Sequence, residues 1–210
     1  MSKTEAGPDG QLRCRWCTAT PEYLDYHDQE WGYPVSNDQR LFEKLSLEGF
    51  QSGLSWRTIL TKRPGFRAAF AAFDFNRIAD FTEADVERLV LDAGIVRHRG
   101  KIAAVINNAK RAQEMVAEEG SLAAFFWRYE PATLRVPDGT AMATSVESEA
   151  LSKELKKRGW KFVGPTTVYA FMQAMGLVND HAPDCVIRTQ VANARAAFSK
   201  PAGQPWPKPS

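Results

Sequence analysis

The apolar residues of this chain recur mostly at helical spacing. In "LFEKLSLEGFQSGLSW" (41–56), Leu41, Leu45 and Glu48 stand at i, i+4 and i+7 and share one face. Ser36 or Asn37 can cap their helix, which runs to about Leu47. Ser55 caps a following helix from Trp56; Pro64 and Gly65 interrupt it, and Phe66, Phe70 and Phe73 continue its apolar stripe. Thr82 and Asp85 resemble a capping box before "VERLVLDAG", and Gly94 ends that helix in the manner of a C-cap. A long helix is expected from about Arg99 to Glu118, with Ile102, Val105, Ile106 and Ala109 inward. Ser121 caps a short aromatic helix, "LAAFFWRY", and "EPATLRVPDGTAM" (130–142) reads as loop. Helices resume over about 145–158, 166–175 and 185–198, with Gly159 and Gly176 ending the first two. No alternating run marks a strand. The expected fold is all-α: a flexible extension at 1–12, a single helical domain at 13–198, and a Pro-rich disordered tail at 199–210.

One residue breaks the pattern. Glu48 shares its face with apolar residues, and an unpaired buried carboxylate is costly unless it is paired, protonated or employed. An ion pair, or a helix end emerging into water, is the plain explanation. The sharper one is a carboxylate facing a pocket without a Lys or Arg that satisfies it.

Composition narrows the field. The 44% hydrophobic and 25% charged shares are ordinary globular values. Three cysteines, an odd and low count, point to a reducing compartment with thiols free or on metal. No apolar run is long enough to span a membrane, and the opening residues carry no signal-peptide segment, so a cytoplasmic location is expected. The net charge of +2 is too weak to demand a nucleic-acid partner. Its distribution matters more: "RHRGK" (97–101) and "KELKKRGWK" (153–161) are basic clusters. The second suits the C-terminal end of a helix, where cations complement the dipole.

Three constellations could carry chemistry. Cys14, Cys17, His27, His98, His181 and Cys185 are candidate metal ligands, and His181 and Cys185 are four apart. Tetrahedral zinc could take two ligands from the N-terminal segment and His181 with Cys185, tying the chain's ends together. Buried free cysteines and surface histidines are the alternative. Next, Trp16, Tyr23, Tyr26, Trp31 and Trp56 gather around the odd carboxylate, and three of the six tryptophans lie within residues 16–56. Each could be plain core; together with one acid they form a pocket for a cationic or electron-poor ring. Last, "DAGIVRHRGKI" (92–102) ends one helix and opens another, so free N–H groups, Arg97, Arg99 and Lys101 could meet a phosphate. An ordinary helix–turn–helix joint reads the same way.

At these residues the chain resembles the bacterial type I 3-methyladenine-DNA glycosylases. The resemblance is carried by "YHDQEWG" (26–32), "LEGFQSGLSW" (47–56), "DAGIVRHRGKI", "LKKRGWKFVG" (155–164) and "MQAMGLVNDH" (172–181), in family order across Arg13 to Cys185. It implies a helix-hairpin-helix DNA glycosylase that excises 3-methyladenine from alkylated duplex DNA. It implies a base pocket of Trp16, Tyr23, Tyr26, Glu48 and Trp56, with Trp31 nearby and Glu48 and Tyr26 catalytic. It places Leu54 in the gap left by the flipped nucleotide, and the hairpin, with Gly94, Arg97, Arg99 and Lys101, on the DNA backbone. It implies one structural zinc on Cys14, His27, His181 and Cys185, with Cys17 outside the set. The expected partners are alkylated duplex DNA and the released base, with no membrane, and a monomer is expected. The hairpin lacks the second glycine of the commoner superfamily pattern, and no acid follows it where most of the superfamily places a catalytic Asp.

That last absence agrees with the chemistry. A methyl on adenine N3 makes the base cationic and weakens the glycosidic bond, so a strong acid is not needed; extrusion and recognition of charge are. Glu48 could balance the cation while Tyr and Trp faces stack on the ring. A non-catalytic damage-recognition module with the same hairpin, and an enzyme acting on free nucleosides, are the alternatives.

Overall fold

The structure, a computed structural model, describes residues 3–133 and 142–202. Part of the expected 130–142 loop and residues 203–210 of the expected tail lie outside the described residues.

The chain is built largely of helices. It opens, however, with a two-stranded antiparallel ribbon, β1 (Thr4–Ala6) and β2 (Leu12–Cys14), in which Thr4 faces Cys14 and Ala6 faces Leu12. The segment read as an extension thus holds one strand of a pair. A 3₁₀ turn, Arg15–Ala19, leads to α1 (Pro21–Gln29), which the sequence reading had not foreseen. Its start is well marked: the Thr20 side chain accepts from the Tyr23 N–H, and Pro21 occupies the first turn, where a missing donor costs nothing.

Asn37, not Ser36, caps α2 (Asp38–Gln51). Every residue from Leu41 to Phe50 is buried, including Glu43, Lys44 and Glu48. A helix buried all round lies at the centre of its domain, and α2 packs against α3 (Trp56–Ala69), α6 (Arg99–Glu119), α7 (Leu122–Phe126) and α9 (Pro165–Ala174). Phe42, Phe50, Phe66, Phe70, Phe125, Phe126 and Phe171 fill the space between them. Around this frame lie α4 (Phe75–Ala79) on α6, α5 (Glu83–Leu91) on α6, and α8 (Val146–Lys157) on α9; α10 (Val186–Ala197) packs on β2.

Two boundary expectations are corrected. Pro64 and Gly65 do not interrupt α3, which runs on to Ala69 with Pro64 inside it. Gly65 instead permits close packing: a Cβ there would collide with the Gly94 carbonyl oxygen in the α5–α6 turn. Gly94 is not a left-handed C-cap either. The α5 helix stops at Leu91, Asp92 Oδ1 accepts from the Gly94 N–H at 2.7 Å, and Gly94 stays outside the positive-φ region. Lys62 Nζ donates to the Ala93 carbonyl at 2.7 Å, so α3 holds the turn from below.

Candidate active site and metal centre

Four consecutive elements converge at the N-terminal end of α3. Trp16 comes from the 3₁₀ turn, Tyr23 and Tyr26 from α1, Glu48 from α2, and Trp56 from the first position of α3. Trp16 packs against Tyr23, Tyr26 and Trp31 with ring centroids 5.8, 6.4 and 5.2 Å away. Tyr26 and Trp56 are 5.3 Å apart. The Tyr23 hydroxyl accepts from the Arg57 N–H at 2.7 Å and so satisfies one of the orphan donors of α3. The sequence-predicted aromatic residues therefore share one neighbourhood.

Glu48 does face this group, but the expectation that it lacks a cationic partner is overturned. Lys44 Nζ lies 2.7 Å from Glu48 Oε1, and both side chains are buried. The same ammonium donates to the Tyr26 hydroxyl at 2.7 Å and sits 3.4 Å from the centroid of the Trp56 ring. The reason is helical geometry: residues four apart stand on one face, and a buried carboxylate gathers the nearest cation. Burial pulls the Lys44 ammonium below its ordinary value, against the pull of Glu48. Burial, then Glu48, pushes the Tyr26 phenol well up, so Tyr26 keeps its proton. Behind Lys44, Arg63 grips Glu30 through two 2.7 Å hydrogen bonds, and Arg67 grips Glu43. A small cavity lined by Tyr26, Glu30, Glu43, Lys44, Trp56 and Arg63 measures about 20 Å³, room for about one water molecule.

A second cluster lies beside the first, behind Trp31. Ligand atoms of Cys14, His27 and Cys185 lie within 4.8 Å of one another, all buried. His181 is fully buried against them, its ring centroid 4.8 Å from that of His27. Its Nε2 is buried with no hydrogen-bond partner, while Asn179 Oδ1 holds its Nδ1 at 3.0 Å. Asp28 Oδ1 holds His27 Nδ1 at 2.7 Å, leaving His27 Nε2 to face Cys185 Sγ. Both imidazoles thus have one nitrogen fixed from outside, while the other is unpartnered in His181 and meets the Cys185 thiol in His27, an arrangement that suits metal-bound histidines. Burial, then His27, pushes His181 down to about 3, so its ring stays neutral with a lone pair to give. Cys14 first, then His27, pull the Cys185 thiol below its ordinary value, while Cys185 and burial push the Cys14 thiol up. Ala182 N–H donates to Cys14 Sγ at 3.3 Å. Gly32, at φ +88°, lets the chain pass against His181, where a Cβ would be 2.8 Å from Cε1. A soft, buried pair of thiols with two oriented imidazoles fits zinc. Cys17 is buried and also approaches His27 but lies outside the group of ligand atoms within 4.8 Å of one another, and His98 is elsewhere, accepting from the Lys101 N–H as the N-cap of α6.

The third region is the α5–α6 turn with the loop after α2. Leu54 is exposed at 41%, although large and apolar. Arg97 is exposed. Arg99 is exposed too, but its guanidinium pairs with Glu83 and Glu87 of α5. Lys101 departs from the sequence reading. Its side chain points inward, where Nζ donates to the Phe50 carbonyl at 2.9 Å and the Ser52 carbonyl at 2.6 Å. The last carbonyls of a helix lack intrahelical partners, and a buried ammonium satisfies them here. Lys101 thus fastens the start of α6 to the end of α2 rather than pointing outward.

With the geometry in place, the relatives decide the family. The model of the methyladenine glycosylase family matches residues 16–189. The chain is 49% identical to DNA-3-methyladenine glycosylase 1 of Escherichia coli (strain K12) over 177 residues, 82% of this chain and 95% of that one.

The chain belongs to the methyladenine glycosylase family.

Solved structures agree. A crystal structure of a 3-methyladenine DNA glycosylase I superposes with a TM-score of 0.78 at 47% identity, covering 83% of this chain and 98% of that one. A 3-methyladenine DNA glycosylase I of Staphylococcus aureus, solved to show how it recognises 3-methyladenine, reaches a TM-score of 0.78 at 36% identity, covering 83% and 95%. For this member of the family, sequence reasoning missed three supporting residues: Lys44, Asp28 and Asn179. Lys44 carried a signal, its i−4 spacing from Glu48. Asp28 and Asn179 lie beside ligand candidates in sequence, but nothing in the spacing shows where their carboxylate and amide oxygens point. Among the described residues no helix is long and apolar enough to cross a membrane.

Proposed function

We propose that this protein excises 3-methyladenine from alkylated duplex DNA by hydrolysing the N-glycosidic bond, with the base held between Glu48, Tyr26 and Trp56. The observation that carries this reading is the buried Glu48 carboxylate, aimed at an aromatic group and already holding a cation against the face of Trp56. A site that seats an ammonium on an indole face beside a carboxylate suits a methylated, cationic purine.

The flipped nucleotide brings its charge to Glu48, while Trp16, Tyr23 and Trp31 close the wall around it and Leu54 fills the gap it leaves in the duplex. The C1′–N9 bond breaks with its electron pair moving to the base, which leaves neutral. Water adds to C1′ and gives its proton to solvent. Glu48 stabilises positive charge as it builds on the sugar, and the neutral Tyr26 hydroxyl donates towards the base. The α5–α6 turn grips the phosphate backbone as a helix-hairpin-helix, through Arg97, Arg99 and the amide groups near Gly94. Cys14, His27, His181 and Cys185 would hold a zinc ion, which would join β2, α1 and the start of α10; with four protein side chains as donors its role would be structural. The chain acts as a monomer in the cytoplasm, where its three cysteines remain thiols or thiolates.

Chromatography of bases released from alkylated duplex DNA tests the reading. Free 3-methyladenine is expected in the supernatant. A non-catalytic recognition module would retain the DNA and release none, and a nucleoside-acting enzyme would cleave free methylated nucleoside as well as duplex.

A further inference from the structure

The mechanism above gives Lys44 nothing to do, yet its ammonium occupies the centre of the pocket. It lies 2.7 Å from Glu48 Oε1, 2.7 Å from the Tyr26 hydroxyl and 3.4 Å from the Trp56 ring centroid. These are the three groups assigned to the cationic base, and the ammonium lies over the Trp56 face on which that base would stack. The two cations exclude each other. No purine ring can occupy that face of Trp56 while the ammonium lies 3.4 Å from its centroid. Two positive charges within a few ångströms in a buried site also repel strongly.

We propose that Lys44 is a built-in stand-in for the cationic base: it leaves Glu48 when the methylated base enters and returns to eject the base once bond cleavage has made it neutral. The proposal rests on the pocket assignment made above. Its logic is charge exchange. The incoming base replaces one cation at Glu48 with another, so the carboxylate stays paired as the base enters. Cleavage sends the bond's electron pair into the base and removes its charge. Glu48 then has no counter-ion, while Lys44 has none either. Restoring the Lys44–Glu48 pair drives the neutral product out. Duplex contacts at Arg97 and Leu54 offset the cost of moving Lys44 for substrate, but free base has no such contacts. Lys44 is therefore a residue that separates substrate from product, and its cost falls on the affinity for product.

Calorimetric titration with free 3-methyladenine tests this on the wild type, Lys44→Met, Lys44→Gln and Trp56→Ala. Both Lys44 variants are expected to bind free base at least about tenfold more tightly, the scale of one charge-assisted hydrogen bond no longer displaced. Inhibition of excision by added 3-methyladenine is expected to strengthen in step. A lysine serving only to support Glu48 would give the opposite, weaker binding on its removal, and that result would overturn the proposal. The wild type supplies a readout that needs no substitution. The Lys44 Cε resonance, shifted upfield by the Trp56 ring, is expected to move to an ordinary lysine position on saturation with 3-methyladenine; an unmoved resonance in the saturated protein also overturns it. Trp56→Ala keeps the two readings apart. If it binds free base as well as the wild type, the pocket assignment itself is wrong. If it loses binding while the Lys44 variants bind no tighter, only the ejection role falls.

Discussion

The Lys101 ammonium donates to the Phe50 carbonyl at 2.9 Å, which fastens the first turn of α6 to the last turn of α2. The Ser52 carbonyl is held by the same group, so the start of α6 and the loop carrying Leu54 are tied at one point. Lys101→Met is expected to leave two carbonyls poorly satisfied and to cost about 1–3 kcal/mol of folding stability, measured by denaturant unfolding. Its effect on the salt dependence of duplex binding is expected to be small. Arg97→Ala should behave in the reverse way, with stability kept and the salt slope flattened by about one phosphate's worth. If the two variants exchanged these behaviours, the roles argued for them would be reversed.

The metal assignment is tested by composition. Purified protein is expected to hold about one zinc per chain. Cys14→Ser and His181→Ala are expected to lose it and to melt at lower temperature, while Cys17→Ser keeps it, because Cys17 stands outside the cluster. Plasma emission spectrometry on the three variants measures this, and zinc lost from Cys17→Ser but retained by Cys14→Ser would transfer the ligand role to Cys17.

Glu48→Gln keeps the size of the side chain and removes its charge. Single-turnover excision is expected to slow without vanishing, because the alkylated base is already a good leaving group. Since Lys44 answers to Glu48, affinity is best compared in a Lys44→Met background. There Glu48→Gln is expected to cost about 1.5–3 kcal/mol in calorimetric binding of free 3-methyladenine, the range for a hydrogen bond to a charged group. Zinc content should not change. Equal affinities with and without the carboxylate would remove Glu48 from base recognition.

Gly65→Ala places a methyl against the Gly94 carbonyl. Backbone cannot yield there as a flexible side chain would, so the expected destabilisation is about 1–3 kcal/mol, as for an overpacked core. Duplex affinity should fall with it, since α3 would push on the turn that carries Arg97. Thermal melting and a binding isotherm on undamaged duplex check both; an unaltered melting temperature would show that the turn has room to shift.

Much of this protein was determined by its sequence alone. Side-chain caps at Asn37, Ser55, Thr82, Ser121 and Ser145 mark where helices start, because a cap acts on backbone groups two or three residues away. Periodicity placed Glu48 on a buried face for the same reason: which way a helical residue points depends on its neighbours in the chain. What lies opposite that face depends on segments far away, and tertiary structure alone decided it. Lys101 reads as one more cation in a basic run until α2 brings the carbonyls of Phe50 and Ser52 to it. Pro64 and Gly65 read as a break, yet α3 continues because its packing on Gly94 requires a residue without a Cβ. Of Cys14 and Cys17, three residues apart, the path of the chain before α1 brings Cys14 within reach of both His27 and Cys185. Lys44 lies between these cases. Its spacing from Glu48 was legible, but a Lys–Glu pair at i, i+4 on a helix ordinarily faces water and counts for little; only the packing of Tyr26 and Trp56 over it turned that pair into the occupant of a pocket.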